Sequence, residues 1–234
     1  MHEKIVVGAP PAPWAEPLLN GLAAFPHVVV LRHPHHVLTT ELKNNELDCA
    51  LLPVTDAWTL PQTRAVPGIG VSLQKPASNL FLRIACTPPK HVVCPSSLED
   101  AVSLVHLIIA EHFAPDSPIS TIVSATPDNT NADAVVLDSV TEDDEDVCNL
   151  VSLWQSLTGT PLVRAIWLAR PRTPLAELRR VLSLSLQYYE NCGGTVSTGW
   201  RYRLGSDEMD GVCAMVQLAI AHGVCPPDGE IVFC

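Results

Sequence analysis

Two adjacent serines, Ser96 and Ser97, stand directly ahead of a long apolar-periodic stretch that begins at Leu98. A helix start carries free backbone N–H groups and the positive end of the helix dipole, so hydroxyls there suit the binding of an anionic oxygen. The same serines can act as plain caps, with Glu99 or Asp100 three places on completing a capping box, and a cap can serve both purposes. Thr55 closes the apolar run that ends in Pro53-Val54. Its hydroxyl can bond a ligand or cap the following turn. Hydrogen bonds to a carboxylate are charge-assisted and stronger than neutral ones, so sparse hydroxyls of this kind can hold a small acid.

Other chemically suggestive clusters lead elsewhere. His33-Pro34-His35-His36 is the one tempting metal feature, but no convergent carboxylate or cysteine accompanies it, and it reads as polar surface before a helix. The eight cysteines are scattered without a C-x-x-C pair. Zinc spacing is missing, and several cysteines occupy apolar periodic positions, so they read as reduced core thiols. Glu142-Asp143-Asp144-Glu145-Asp146 holds five consecutive carboxylates without the spacing of a calcium loop, which makes it a solvated loop or helix start. Neither a metal nor a cofactor is expected.

The composition narrows the class further. With 14 basic against 25 acidic residues the net charge is −11, the wrong sign for a nucleic-acid footprint. Hydrophobic residues make up 47% and charged residues 17%, ample for a buried core. No stretch approaches the roughly 20 apolar residues of a membrane span. The opening run Lys4–Val7 is too short for a signal peptide and reads as a first strand, so a cytoplasmic protein is expected. At 234 residues, one large domain or two small lobes are both open.

The elements that must position these residues alternate. Strands are predicted over Lys4–Val7, Val28–Leu31, Cys49–Val54, Ala65–Leu73 and Ser78–Ala85, with helices over Trp14–Phe25 and Val37–Asn45. A second series begins at Val92-Val93 and continues with a helix over Leu98–Phe113. Strands over Thr121–Ser124 and Ala134–Leu137 follow, then a helix over Val147–Thr158 and a strand over Leu162–Leu168. Two helices close the chain, from Pro174 to Tyr189 and from the Ser206 cap to Gly223. Two such series predict an α/β protein of two lobes with a ligand cleft at the carboxyl ends of the strands.

Five motifs, in order along most of the chain, resemble the chorismate dehydratase family of the futalosine route to menaquinone. They are Asn45-Glu46-Leu47-Asp48-Cys49-Ala50-Leu51-Leu52-Pro53, Val66-Pro67-Gly68-Ile69-Gly70-Val71, Pro95-Ser96-Ser97, Leu153–Arg170 and Tyr202-Arg203-Leu204-Gly205. The resemblance implies a periplasmic-binding-protein-like type II fold, with mixed sheets, flanking helices and an inter-lobe cleft. Lobe 1 is expected from 1–84 plus 172–234 and lobe 2 from 85–171. It also implies a small-molecule carboxylate ligand, chorismate, converted to 3-[(1-carboxyvinyl)oxy]benzoate and water by a monomer or homodimer. The family's cleft serine falls on Ser78, beside Asn79, and its second-lobe acid falls nearest Asp138. Where the family's first loop carries a ligand-facing asparagine this chain has Trp14, and Arg164 replaces an apolar residue of the family pattern. Arg164 can pair a ligand carboxylate or an acidic side chain; Trp14 can face the cleft or the core. The alternative reading is a diverged, non-catalytic carboxylate binder of the same fold.

Overall fold

The computed structural model describes residues 4–74, 80–113, 118–124, 132–140, 146–226 and 231–233. In chain order its elements begin β1 (Ile5–Ala9), α1 (Glu16–Leu19), β2 (Val28–Arg32), α2 (His35–Lys43), β3 (Cys49–Pro53) and β4 (Arg64–Leu73). Then come β5 (Phe81–Ile84), β6 (His91–Pro95), α3 (Val102–Phe113), β7 (Ser120–Ser124), β8 (Ala134–Leu137), β9 (Val147–Asn149) and α4 (Leu150–Thr158). The chain closes with β10 (Leu162–Ala169), α5 (Leu175–Asn191), β11 (Trp200–Arg203) and α6 (Ser206–Ala221).

The strands form two mixed sheets. The first has six strands in the order β11-β4-β10-β3-β1-β2, the second five in the order β7-β6-β8-β5-β9. β1 runs parallel to β2 and β3, while β10 enters antiparallel between β3 and β4, with Trp167 opposite Leu51. β3 and β10 are buried along their whole length because both faces are covered, which is why they read as unbroken apolar runs. α5 packs against β4 and α6 against β10.

The expected lobe boundaries differ from the sheet membership. Phe81–Ile84 lies in the second sheet, paired with β8 and β9, and Leu162–Ala169 lies in the first, paired with β3 and β4. The chain therefore crosses between sheets before β5 and again between α4 and β10.

Two local expectations are corrected, and one strand is added. The helix expected over Trp14–Phe25 is broken into a 3-10 turn at Pro13–Ala15, the single α-turn of α1 and a second 3-10 turn at Leu22–Ala24. Pro13 and Pro17 remove backbone donors there. Gly21 lies so close to α5 that a Cβ would meet Ser185 Cα at 2.6 Å. Its N–H donates to Ser185 Oγ at 3.0 Å, and that hydroxyl donates to Leu18 O at 2.8 Å. Residues 147–149 are a strand rather than the first turn of a helix. Asn149 caps α4, its side chain accepting from the Ser152 N–H at 2.9 Å, so the helix starts behind it. β11 was not foreseen: its short Trp-Arg-Tyr-Arg run alternates buried and exposed residues at the edge of the first sheet.

Candidate functional site

Between the two sheets lies a cavity of about 660 Å³. Its walls come from the chain just beyond the carboxyl ends of β1, β2, β6 and β8, joined by Arg164 of β10, Trp200 and Tyr202 of β11, and Tyr189 of α5. Loops at those strand ends are where parallel α/β sheets place ligands, because the strands stop there and their helices diverge. The volume is in the range of small-molecule sites, about 300–1,000 Å³.

Ser96 and Ser97 line this cavity at the start of a 3-10 turn, Ser96–Ala101, that leads into α3. The capping box expected of them is absent. Pro95 holds the cap position, and the two acids that would complete the box reach across to the other sheet instead. Glu99 accepts from His36 Nδ1 at 2.9 Å. Asp100 takes a bidentate pair from Arg164, with Nε to Oδ2 at 2.6 Å and Nη2 to Oδ1 at 3.1 Å.

Arg164 sits in the middle of an otherwise apolar strand, and its side chain is only 3% exposed, against 9% for Asp100. The acidic partner that the sequence left open is thus a buried one. The guanidinium carbon also lies 4.7 Å from the Trp14 ring centre and 5.8 Å from that of Trp200. The two indoles are near parallel, 19° apart in plane with centres at 6.5 Å. Among the described residues Arg164 Nη1 has no hydrogen-bond partner. Trp14 thus lines the cavity while also packing against the hydrophobic core.

A second polar chain starts at His35, whose Nε2 is 2.8 Å from Asp56 Oδ2, the same oxygen that accepts from Thr39 Oγ1 at 2.7 Å. Burial alone would lower the His35 pKa. The Asp56 hydrogen bond and the charges of Asp56, Glu99 and Asp100 outweigh it and hold the imidazole above its ordinary 6.5. At Cys94, beside the serine turn, burial and charge act in the same direction. Burial, reinforced by Asp100 and Glu99, pushes its thiol up to about 12, so it is an inert core group. Burial likewise raises the Tyr202 phenol.

The remaining expected residues separate. Asp138 lines the cavity from the end of β8, is exposed, and accepts from Ser139 Oγ at 3.1 Å. Thr55 does not reach the cavity. It is buried beside a separate void of about 10 Å³ that Arg164 and Asp100 also border, and its hydroxyl has no partner among the described residues. It neither caps nor faces the cleft. Ser78 and Asn79, and Glu142–Glu145 of the acidic run, lie outside the described residues. The histidine cluster is redistributed onto carboxylates: His33 to Glu41, His35 to Asp56, His36 to Glu99. No group of three His, Cys, Asp or Glu side chains among the described residues could hold a metal ion. Sequence reasoning missed Asp100 as an ion-pair partner, and it missed Trp200 and Tyr202. Their alternation in β11 was the available signal, but the flanking arginines masked it.

Two mixed sheets with a cavity at their carboxyl edges define a periplasmic-binding-protein-like molecule, and solved structures agree. Protein AF1704 from Archaeoglobus fulgidus superposes with a TM-score of 0.69 at 12% identity, over 94% of this chain and 98% of that one. The alkanesulfonate-binding protein SsuA from Xanthomonas axonopodis pv. citri, bound to MOPS, gives 0.61 at 13% identity over 99% and 98%. The Candida albicans CA3427 gene product, described as having the generic periplasmic binding protein fold, gives 0.57 at 10% identity over 98% and 93%. A family model described as menaquinone biosynthesis matches residues 5–201, and the chain belongs to that family, the one the ordered motifs resemble. No curated protein matches the chain in sequence at a significant level. Among the described residues no helix is long and apolar enough to cross a membrane.

Proposed function

We propose that the protein is a cytoplasmic chorismate dehydratase, converting chorismate to 3-[(1-carboxyvinyl)oxy]benzoate and water. The observation that carries this reading is that Ser96, Ser97, Arg164 and Asp138 converge on one cavity of small-molecule size in a chain of the menaquinone biosynthesis family. The reaction is a redox-neutral elimination. A base takes the ring C3 proton, the C–H electron pair becomes the new C3–C4 double bond, and the C4 hydroxyl leaves, taking up a proton to become water. Aromatisation drives the step, so the protein's task is chiefly orientation and charge placement.

In this reading the Ser96 and Ser97 hydroxyls and the free Nη1 edge of Arg164 hold carboxylate oxygens, and Asp138 accepts the C3 proton. Asp138 is exposed, lines the cavity, and among the described residues accepts one hydrogen bond, from the Ser139 hydroxyl. General-base catalysis contributes about 10²–10⁴-fold. Asp138→Asn is therefore expected to lower turnover by about that factor while chorismate binding persists. Unchanged turnover in the variant would remove Asp138 from the mechanism.

A second reading is favoured by one observation: Asp100 already occupies two of the Arg164 donors, so less of its charge is left for a substrate. A carboxylate-binding protein without turnover would look the same, and calorimetry with chorismate beside a product assay separates the two.

A further inference from the structure

The turn Ser96–Ala101 carries the two serines, yet its own sequence does little to fix it. No side chain caps it, Pro95 stands at the cap position, and Leu98 departs from helical geometry with φ −116° and ψ 18°. Leu98 and Ala101 are buried, and Cys94 Sγ donates to Leu98 O at 3.2 Å. Two further ties come from the far side of the cavity. Asp100 takes the bidentate pair from Arg164 of β10, and Glu99 accepts from His36 Nδ1 in the first turn of α2. β10 belongs to the first sheet and α2 packs on β1 and β3 of that sheet, whereas the serine turn follows β6 of the second. Two adjacent carboxylates thus hold the turn across the cavity, Asp100 through a buried pair and Glu99 through an exposed histidine. Asp100 can act on a bound anion in two opposite directions. By occupying two Arg164 donors it takes charge from the ligand, so its loss would raise affinity. By fixing the turn it spares the ligand the cost of ordering Ser96 and Ser97, so its loss would lower affinity. Arg164 keeps its charge and its Nη1 donors in either case, whereas the turn loses its buried tie, so the second effect is the larger.

We propose that Asp100, supported by Glu99, is a positioning residue that sets the serine turn in its ligand-holding place before the ligand arrives. This rests on the reading of Ser96 and Ser97 as partners of a substrate carboxylate. Hydroxyls held in place gain more from each hydrogen bond than hydroxyls that the ligand must first immobilise. The cavity is then preformed on this side, and the cross-sheet pairs are part of the binding site although neither carboxylate attracts the anion.

The test measures motion and affinity in the full chain. Backbone 15N relaxation reads mobility inside the folded state, where a loss of overall stability does not register. Without ligand, the Ser96, Ser97 and Leu98 amides of the unmodified chain are expected to be as rigid as those of β3, with order parameters of about 0.85. Asp100→Asn is expected to bring them below about 0.6 while β3 and β10 stay rigid. Glu99→Gln, at an exposed contact, is expected to give a smaller change in the same direction, and Asp100→Glu, which keeps the charge, to recover part of the order. Thermal unfolding establishes that each variant is folded. In calorimetry with chorismate, Asp100→Asn is expected to raise Kd about tenfold, with the loss in the entropy of binding. Tighter binding of chorismate by Asp100→Asn overturns the proposal, and so does a turn that stays rigid in the folded variants. Where Asp100→Asn does not fold, Glu99→Gln decides: a loosened turn supports the proposal and an unaltered one overturns it. Chorismate turnover is measured separately. A turn loosened in the variants, with chorismate neither bound nor converted by the unmodified chain, keeps the positioning role and sinks the dehydratase reading. Turnover by the unmodified chain, with an unaltered turn and Kd in Asp100→Asn, does the reverse.

Discussion

Replacing Asp100 by Asn keeps the shape of the side chain and removes the charge opposite Arg164. The two side chains are 9% and 3% exposed, so water does not screen the loss. In the intact pair, the bonds at 2.6 and 3.1 Å use two of the guanidinium's donor positions. Without the carboxylate, a cation stays buried beside two indoles that offset only part of its desolvation. Breaking one side of such a pair costs about 3–5 kcal/mol. For a chain of this length that corresponds to a fall in Tm of about 6–20 °C. Replacing both partners together, Asp100→Leu with Arg164→Met, is expected to restore most of the stability, because an apolar pair has no stranded charge. Denaturant unfolding of Asp100→Leu, Arg164→Met and the double variant gives the coupling energy directly. A loss below about 1 kcal/mol in Asp100→Asn would mean that the pair is solvated, contradicting its burial between the sheets.

Two further outcomes follow from other contacts. Gly211 of α6 lies against the start of β10, where a Cβ would stand 2.3 Å from Pro161 O, so Gly211→Ala is expected to cost about 1–3 kcal/mol in unfolding experiments. His35 has its pKa raised in the folded state above the ordinary 6.5, so its contribution to stability is fully present below that value and lost as pH rises through the folded pKa. Asp56→Asn is expected to bring the His35 titration, followed by NMR of its ring protons, to lower pH; an unmoved titration would show that the Asp56 contact is not formed.

How far the sequence revealed the fold depended on burial. β3 and β10 are covered on both faces, and their unbroken apolar runs mark them plainly. β11 is an edge strand of four residues with two arginines, and its two inward aromatics are too few to stand out. The helix spacing from Trp14 to Phe25 is present, yet Pro17 and the close approach of Gly21 to Ser185 break it into turns. In the site, Ser96 and Ser97 were legible as hydroxyls at a helix start and Asp138 through the family resemblance, and all three line the cavity. Partnerships across the sheets were not. Asp100 reads locally as a cap residue, and only the tertiary fold gives it Arg164. Thr55 follows a strand end as well, but its side chain turns inward to a different void.

The fate of chorismate in this cavity decides whether the protein is a dehydratase. Purified protein incubated with chorismate, with mass-spectrometric detection, is predicted to form 3-[(1-carboxyvinyl)oxy]benzoate at a rate proportional to protein concentration. Binding of chorismate by calorimetry with no such product at high protein concentration would contradict the dehydratase assignment.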